Sequence, residues 1–431
     1  MNWDRYNKLS NRWLEEGKIY SEAVNKFVEK GLKEGWDNVG EDPLETRYDM
    51  ADKVIKIIKQ ANKEGQIEEL KKCFPAAYEP LTGNLQGLAQ AITSVLITTD
   101  EKIIFKAGDT NEEGKLFIVD NGKTEVIENA LYAGCSCDKS IYAIAYEDCI
   151  ETYLGWKGKL INKYSWPDIM EGYGSEDSAK VHNGGLDIVG LIPFSDKKRL
   201  LLVTYEGIFV LDSNETIRIY PDESYMEGLD EEDVMNFYFD MVHGAISSND
   251  EYIAIGEQDS NHIILDGKTY KEIISIDPQS SYPHCALFDK SDEYLIVNSC
   301  QGYNGITTQF SINEIHDEDK FEDSEIEIDD NCRIYAGISR NDEYILGDAD
   351  GYLRAFSMDG EPRWQYYVGS TITGMDISKD EKKLLVGTCA GMLHLLDLDS
   401  EIKSEYSIGT GNVFELQRWI AWKGEKDILE W

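Results

Sequence analysis

Hydrophobic and polar positions recur along most of this chain in one order: apolar run, short Ser/Asp/Lys turn, second apolar run, Gly-containing turn, third apolar run. The first turn carries an aspartate seven times, at Asp100, Asp138, Asp196, Asp250, Asp292, Asp342 and Asp380. The spacings are 38, 58, 54, 42, 50 and 38 residues. A four-stranded blade with tight turns needs about 40–50 residues, so the longer gaps mark insertions. The sixth copy shows the unit most clearly. Arg333 to Ser339 reads as strand a and Tyr344 to Asp348 as strand b. Asp350-Gly351 is a hairpin signal, because Asp-Gly accepts the positive φ of a type I′ turn. Tyr352 to Ser357 and Trp364 to Val368 follow as strands c and d, separated by Asp359-Gly360. Short unbroken runs such as Leu200 to Val203 and Leu384 to Val386 suit strands covered on both faces, as in stacked blades. The pattern predicts a mainly β chain folded as a seven-bladed β-propeller.

The first eighty residues lack this alternation and carry helical spacing. Trp3, Tyr6, Leu9 and Trp13 fall on one stripe, as do Val24, Phe27, Val28 and Leu32. Asp42-Pro43-Leu44-Glu45 has the form of a helix start: Asp at the cap, Pro at the first position, Glu three residues after the cap. The helix that follows should bury Tyr48, Ala51, Val54, Ile55 and Ile58 and stop near Gly65. Residues 1–80 therefore read as a small α-helical cap, 81–412 as the propeller, and 413–431 as a Trp-rich closing segment. In that last segment Trp419, Trp422 and Trp431 need an apolar partner surface.

Charge divides the chain at the same place. Residues 1–80 hold 14 Lys+Arg and 16 Asp+Glu, leaving 28 against 66, a net of −38, for the rest of a chain whose net is −40. Two insertions concentrate it. One holds Asp222, Glu223, Asp230, Glu231, Glu232 and Asp233; the other holds Asp317, Glu318, Asp319, Glu322, Asp323, Glu325 and Glu327. A third insertion, Gly172 to Gly185, is Gly-rich. A field of this sign repels a nucleic-acid backbone and raises encounter rates with a basic protein. Solubility alone is the other reading of the same charge.

Chemistry-bearing motifs are sparse. Cys135-Ser136-Cys137 has no second pair or His cluster beside it, so a zinc site is not expected. Asp348-Ala349-Asp350-Gly351 opens like a calcium loop but lacks the later ligands and the distant Glu. Phosphate loops, dinucleotide fingerprints and a Gly-x-Ser-x-Gly elbow are absent, and neither a cofactor nor a catalytic residue is expected. His243 and His284 precede their repeat markers by seven and eight residues, near the start of strand a in adjacent repeats. With Tyr335 they are candidates for the rim of the central channel; a hydrogen-bonded structural role is the plainer alternative. No apolar run is long enough to span a membrane. The start has no apolar signal region, and the eight cysteines read as reduced core thiols of a cytoplasmic protein.

Gly351-Tyr352-Leu353-Arg354-Ala355-Phe356 with Gly360 and Trp364, and more loosely Gly158-Lys159-Leu160-Ile161 with Trp166, resemble the repeats of bacterial WD40-like and quinoprotein-like β-propellers. The resemblance covers about residues 85–412 and implies the fold. Fold does not carry function. The reading that charge and fold support is a non-catalytic interaction protein that binds a basic protein partner through its acidic insertions. The alternative is an immunity protein that neutralises a basic bacterial toxin such as a nuclease. A propeller enzyme of unrecognised type ranks third.

Overall fold

The computed structural model describes residues 1–108, 114–168, 186–226 and 238–431. Seven antiparallel sheets follow in chain order. They span Ala91–Val126, Ala130–Tyr164, Ile188–Tyr220, His243–Ile276, Tyr282–Asp329, Ile334–Tyr367 and Ile372–Glu430. Each pairs its strands in sequence order, a to d, and the seventh adds a fifth strand, Leu429–Glu430. The chain is a seven-bladed β-propeller with an N-terminal helical segment. The b strands carry the core. Leu200–Thr204 and Glu343–Asp348 are buried at every position, which is what their unbroken apolar runs require.

The repeated aspartate sits in the a–b turn, but not at one structural position. Asp138 accepts from Ser136 Oγ at 2.6 Å and from the Ser140 amide at 2.9 Å, closing its own turn. Asp250 and Asp292 lie one residue later and take the left-handed conformation themselves, at φ 61° and 58°. Their carboxylates instead reach the preceding blade. Asp292 accepts from Ser248 N and Oγ at 2.7 and 2.6 Å, so the same letter staples blade to blade.

The helices differ from expectation at several points. A single long helix, α1 (Asn7–Glu34), carries the early stripes, with Trp13 and Val28 buried but Leu32 exposed. The second helix, α2, runs Ala51–Lys63, entered through a 3-10 turn at Tyr48–Met50 rather than at Asp42. Glu45 is unavailable as a capping residue because Arg47 takes it. The guanidinium donates to both Glu45 oxygens at 2.9 and 2.7 Å, in a pair that is almost fully buried. Arg47 lies over Trp13 at 4.7 Å. Gly17 is required here, since a Cβ would come within 2.5 Å of Arg47 Nη1. Tyr48, expected inside, is half exposed.

Trp13, Val54, Ile58 and Leu70 form one apolar core with Met392, Ile420, Trp422 and Trp431, so they buttress the outer edge of blade 7. That edge is built from residues read in the sequence as lying beyond the propeller: Phe414–Ile420 is the fourth strand of blade 7. Its Glu415 is gripped by Arg418, through two bonds of 2.8 Å, and by His394 at 2.8 Å. Burial pushes the Glu415 carboxyl up, but Arg418 and His394 outweigh it and hold it far below the ordinary carboxylate range. A carboxyl whose folded pKa is depressed adds stability above its unfolded pKa of about 4.3, and this is lost as pH falls below that value. Glu415→Gln is therefore expected to lower the melting temperature at neutral pH and to flatten its decline below about pH 4.3. Parallel acid slopes for variant and parent in calorimetry would rule this out.

Candidate functional site

Strand order fixes which residues share a face. Strands a and c start, and b and d end, at one end of each blade, so the d–a and b–c connections line one face and the a–b and c–d connections the other. The first acidic insertion follows strand d of blade 3 and is a d–a connection. The second lies inside blade 5, between strand c (Asn304–Ser311) and strand d (Ile326–Asp329), and is a c–d connection. The described start of the first insertion, Asp222 to Met226, and the second insertion thus lie on opposite faces. Glu318, Asp319, Glu322 and Asp323 lie on a short helix, Glu318–Asp323, whose Phe321 is buried and stacks on Phe310 at 5.1 Å. Asp317 precedes it and pairs with Lys320, Glu325 follows it, and Glu327 is part of strand d. In the first insertion Asp222 caps the Tyr225 amide at 2.8 Å and Glu223 opens a short helix, Glu223–Met226. Asp230, Glu231, Glu232 and Asp233 lie outside the described residues.

Beside that insertion the d–a/b–c face forms a pocket of about 400 Å³, lined by Tyr220, Tyr225, Tyr238, Phe239, Asp240, Glu257, Gln258 and Asp259. Two connections contribute to it: Tyr220, Tyr225, Tyr238, Phe239 and Asp240 come from the described parts of the d–a connection before blade 4, and residues 257–259 form the b–c turn of that blade. Tyr238 stacks on Tyr205 with centroids 4.8 Å apart and planes 8° from parallel. Tyr220 stands edge-on to Phe239 at 5.3 Å and donates its hydroxyl to Glu257 at 2.8 Å. Tyr225 and Tyr238 remain more than half exposed, as does Tyr303 in the b–c turn of blade 5. Among the described residues they are the three tyrosines of the propeller most exposed to solvent, and all three lie on this face. Glu206, in the b–c turn of blade 3, sits nearby; burial and the facing Asp187 raise its pKa. None of the residues lining the pocket is basic.

The channel-rim candidates lie on the same face. In six blades strand a carries one extra residue that breaks its pairing with strand b; in blades 5 and 6 these are His284 and Tyr335. A bulge of this kind re-aims a side chain. The rings of His284 and Tyr335 meet at 4.6 Å, edge to face. His243 opens strand a of blade 4, and its ring is 5.5 Å from that of His262, a residue the sequence reading passed over. Among the described residues no three His, Cys, Asp or Glu side chains converge as metal ligands.

A third concavity, about 430 Å³, separates the helices from blades 6 and 7. Its main charged groups are already paired with one another: Arg47 with Glu45, Arg418 with Glu415, and Glu79 with the Tyr367 hydroxyl at 2.7 Å. No helix among the described residues is long and apolar enough to cross a membrane.

No family model matches the chain, and no curated protein matches it in sequence. Among solved structures it is similar to the crystal structure of the WD40 β-propeller domain of Doa1, at 11% identity and a TM-score of 0.48. The match covers 74% of this chain and 96% of that one.

Proposed function

We propose that this propeller is a non-catalytic interaction module that receives a basic protein partner on the face formed by its d–a and b–c connections. β-Propellers commonly mediate protein interactions. The observation that carries the reading is the pocket of Tyr220, Tyr225, Tyr238 and Phe239 with Asp240, Glu257 and Asp259, free of basic lining residues. A lysine or arginine side chain over a tyrosine face gains about 0.5–2 kcal/mol, more as it is desolvated, and carboxylates at the rim complete its shell. The exposed tyrosines supply large, low-entropy anchors, the kind of residue that dominates interface energetics. The net charge of −40 adds steering. The acidic c–d insertion of blade 5 faces away and contributes long-range field rather than contact.

The test is capture of partners from the source cell by the full chain and by a Tyr238→Ala/Asp240→Asn/Asp259→Asn variant, followed by kinetics on what is captured. A basic protein that binds the parent, associates more slowly as salt rises and dissociates faster from the variant supports the proposal. Inhibition of a captured nuclease would specify the toxin-neutralising form. An acidic partner, or equal binding by parent and variant, sinks it.

A further inference from the structure

Arg333 is out of keeping with its surroundings. Seven other arginines, Arg47 and Arg418 among them, pair with a carboxylate. Arg333, half-buried at the entry to blade 6, has no carboxylate within ion-pair distance among the described residues. Its Nη2 lies 2.8 Å from His284 Nε2, its guanidinium carbon sits 4.6 Å over the Tyr335 ring, and its buried Nε has no acceptor. Water exclusion makes an unanswered guanidinium costly, and a protein this acidic has no shortage of carboxylates to answer it.

The imidazoles beside it add no charge. His284 Nδ1 lies 2.5 Å from the Ile334 carbonyl, so that nitrogen carries the proton and Nε2 accepts from Arg333. His243 Nδ1 faces the Met241 carbonyl at 3.0 Å in the same way, which leaves its Nε2 as a bare acceptor, buried and without a partner. His262, 1% exposed, uses Nε2 on Ser299 Oγ at 3.0 Å, and its Nδ1 is also without a partner. Burial holds His243 down to about 4 and His284 to about 3, with Arg333 further opposing protonation of His284. At neutral pH the cluster therefore carries one positive charge, from Arg333.

The geometry points to a site for a small oxyanion at the channel mouth, with Arg333 as the charged anchor, Tyr335 as the floor beneath it and His284 as the group that orients the guanidinium. We propose phosphate or a small carboxylate as the ligand class, because a planar guanidinium matches both and hydrogen-bonds them more strongly than a neutral group does. A metal cation is disfavoured by the same guanidinium. The site sits on the bulges of strand a, and its chemistry is opposite in sign to that of the Tyr238 pocket. It stands or falls separately from the proposed partner.

The experiment is ¹⁵N imidazole spectroscopy and thermal melting of the full chain titrated with inorganic phosphate, and in a second arm with acetate, at constant ionic strength in sodium chloride. His243, His262 and His284 resonances are expected to shift saturably and the melting temperature to rise. The arm with the tighter binding separates phosphate from carboxylate. Arg333→Gln, which removes the charge and ends at the position of Nε, short of His284 Nε2, should weaken binding by about tenfold or more. Arg333→Lys, keeping the charge without the planar fork, should fall between them. Resonances unmoved by tens of millimolar of either anion, or an equal response in Arg333→Gln, would overturn the site. Spectra of the ligand-free variants that match the parent away from the cluster show that the fold is kept.

Discussion

Replacing Trp431 with alanine should lower the stability of the whole chain by about 3–5 kcal/mol, the range for deleting a large buried aromatic side chain. The side chain is 2% exposed and is the point where propeller and helices meet. Its ring lies 6.3 Å from that of Trp13, with the Arg418 guanidinium 5.8 Å above it. Its indole N–H donates to the Phe74 carbonyl at 2.7 Å, while the Trp13 N–H donates to the Pro75 carbonyl at 2.9 Å. Two indoles thus satisfy the carbonyls of Phe74 and Pro75, just past the short helix Ile67–Cys73. Truncation opens a cavity and also leaves the Phe74 carbonyl without its donor. Trp431→Phe keeps most of the packing and loses the hydrogen bond, so it should cost less, on the order of 1–3 kcal/mol. Denaturant melts followed both by far-UV signal and by tryptophan fluorescence provide the check. A midpoint for Trp431→Ala within error of the parent would show that the helices and blade 7 are not coupled through this residue.

The sequence carried the architecture because a propeller repeats one local rule. Asn341-Asp342-Glu343 and Asp350-Gly351 mark turns by backbone preference alone, and the strands between them fall within a residue or two of Ile334–Arg340, Glu343–Asp348, Tyr352–Ser357 and Pro362–Tyr367. Insertions broke the rule. Strand d of blade 5 reads IEID and looked like part of an acidic loop, because two of its four residues are carboxylates. Strand d of blade 7 is separated from strand c by residues 398–413, so Phe414–Ile420 seemed to follow the propeller. The Asp42-Pro43 start failed for a tertiary reason: a buried Arg47 outcompetes a helix terminus for Glu45.

The candidate site was legible only in part. His243, His284 and Tyr335 were found by counting back from the turn markers, which works because strand a has nearly constant length. His262 and Arg333 were missed. His262 opens strand c, and Arg333 looked like the first residue of a strand rather than a group facing the channel. The Tyr238 pocket was missed because its parts come from a d–a connection and a b–c turn. Such residues converge only once the sheet is assigned. Looking for aromatic and acidic residues just after each strand b and just before each strand a would have joined Tyr205, Tyr238, Asp240, Glu257 and Asp259.

The ring itself is closed by packing and one buried ion pair, and breaking that pair should have an effect as large as loss of Trp431. No strand of blade 1 is shared with blade 7; each sheet takes its strands from one continuous stretch of chain. Asp376, in strand a of blade 7, accepts from the Ile97 amide of blade 1 at 2.6 Å and from Lys139 Nζ of blade 2 at 2.5 Å. Lys139 Nζ also donates to the Ile97 carbonyl at 2.9 Å. One carboxylate and one ammonium thus join blades 1, 2 and 7 through both backbone groups of a single residue. Their side chains are 9% and 17% exposed. Burial raises the Asp376 pKa, and the Lys139 ammonium and the Ile97 amide oppose that rise. Lys139→Met is therefore expected to cost about 3–5 kcal/mol, since it strands a buried charge and leaves the Ile97 carbonyl unanswered. Asp376→Leu alone should cost a similar amount, but the double variant should recover much of it, because an apolar pair of similar volume carries no desolvation penalty. Lys139→Met should also steepen the loss of stability with rising pH: without the ammonium the buried carboxyl favours the protonated form more strongly, so the variant takes up a proton on folding and loses stability as pH rises above the unfolded carboxylate range of about 4. Urea melts of the two single variants and the double, at pH 4.5 and pH 7.5, decide the matter. Additive losses in the double variant, with no pH dependence in Lys139→Met, would show that the ring is held by apolar packing and that this pair is incidental.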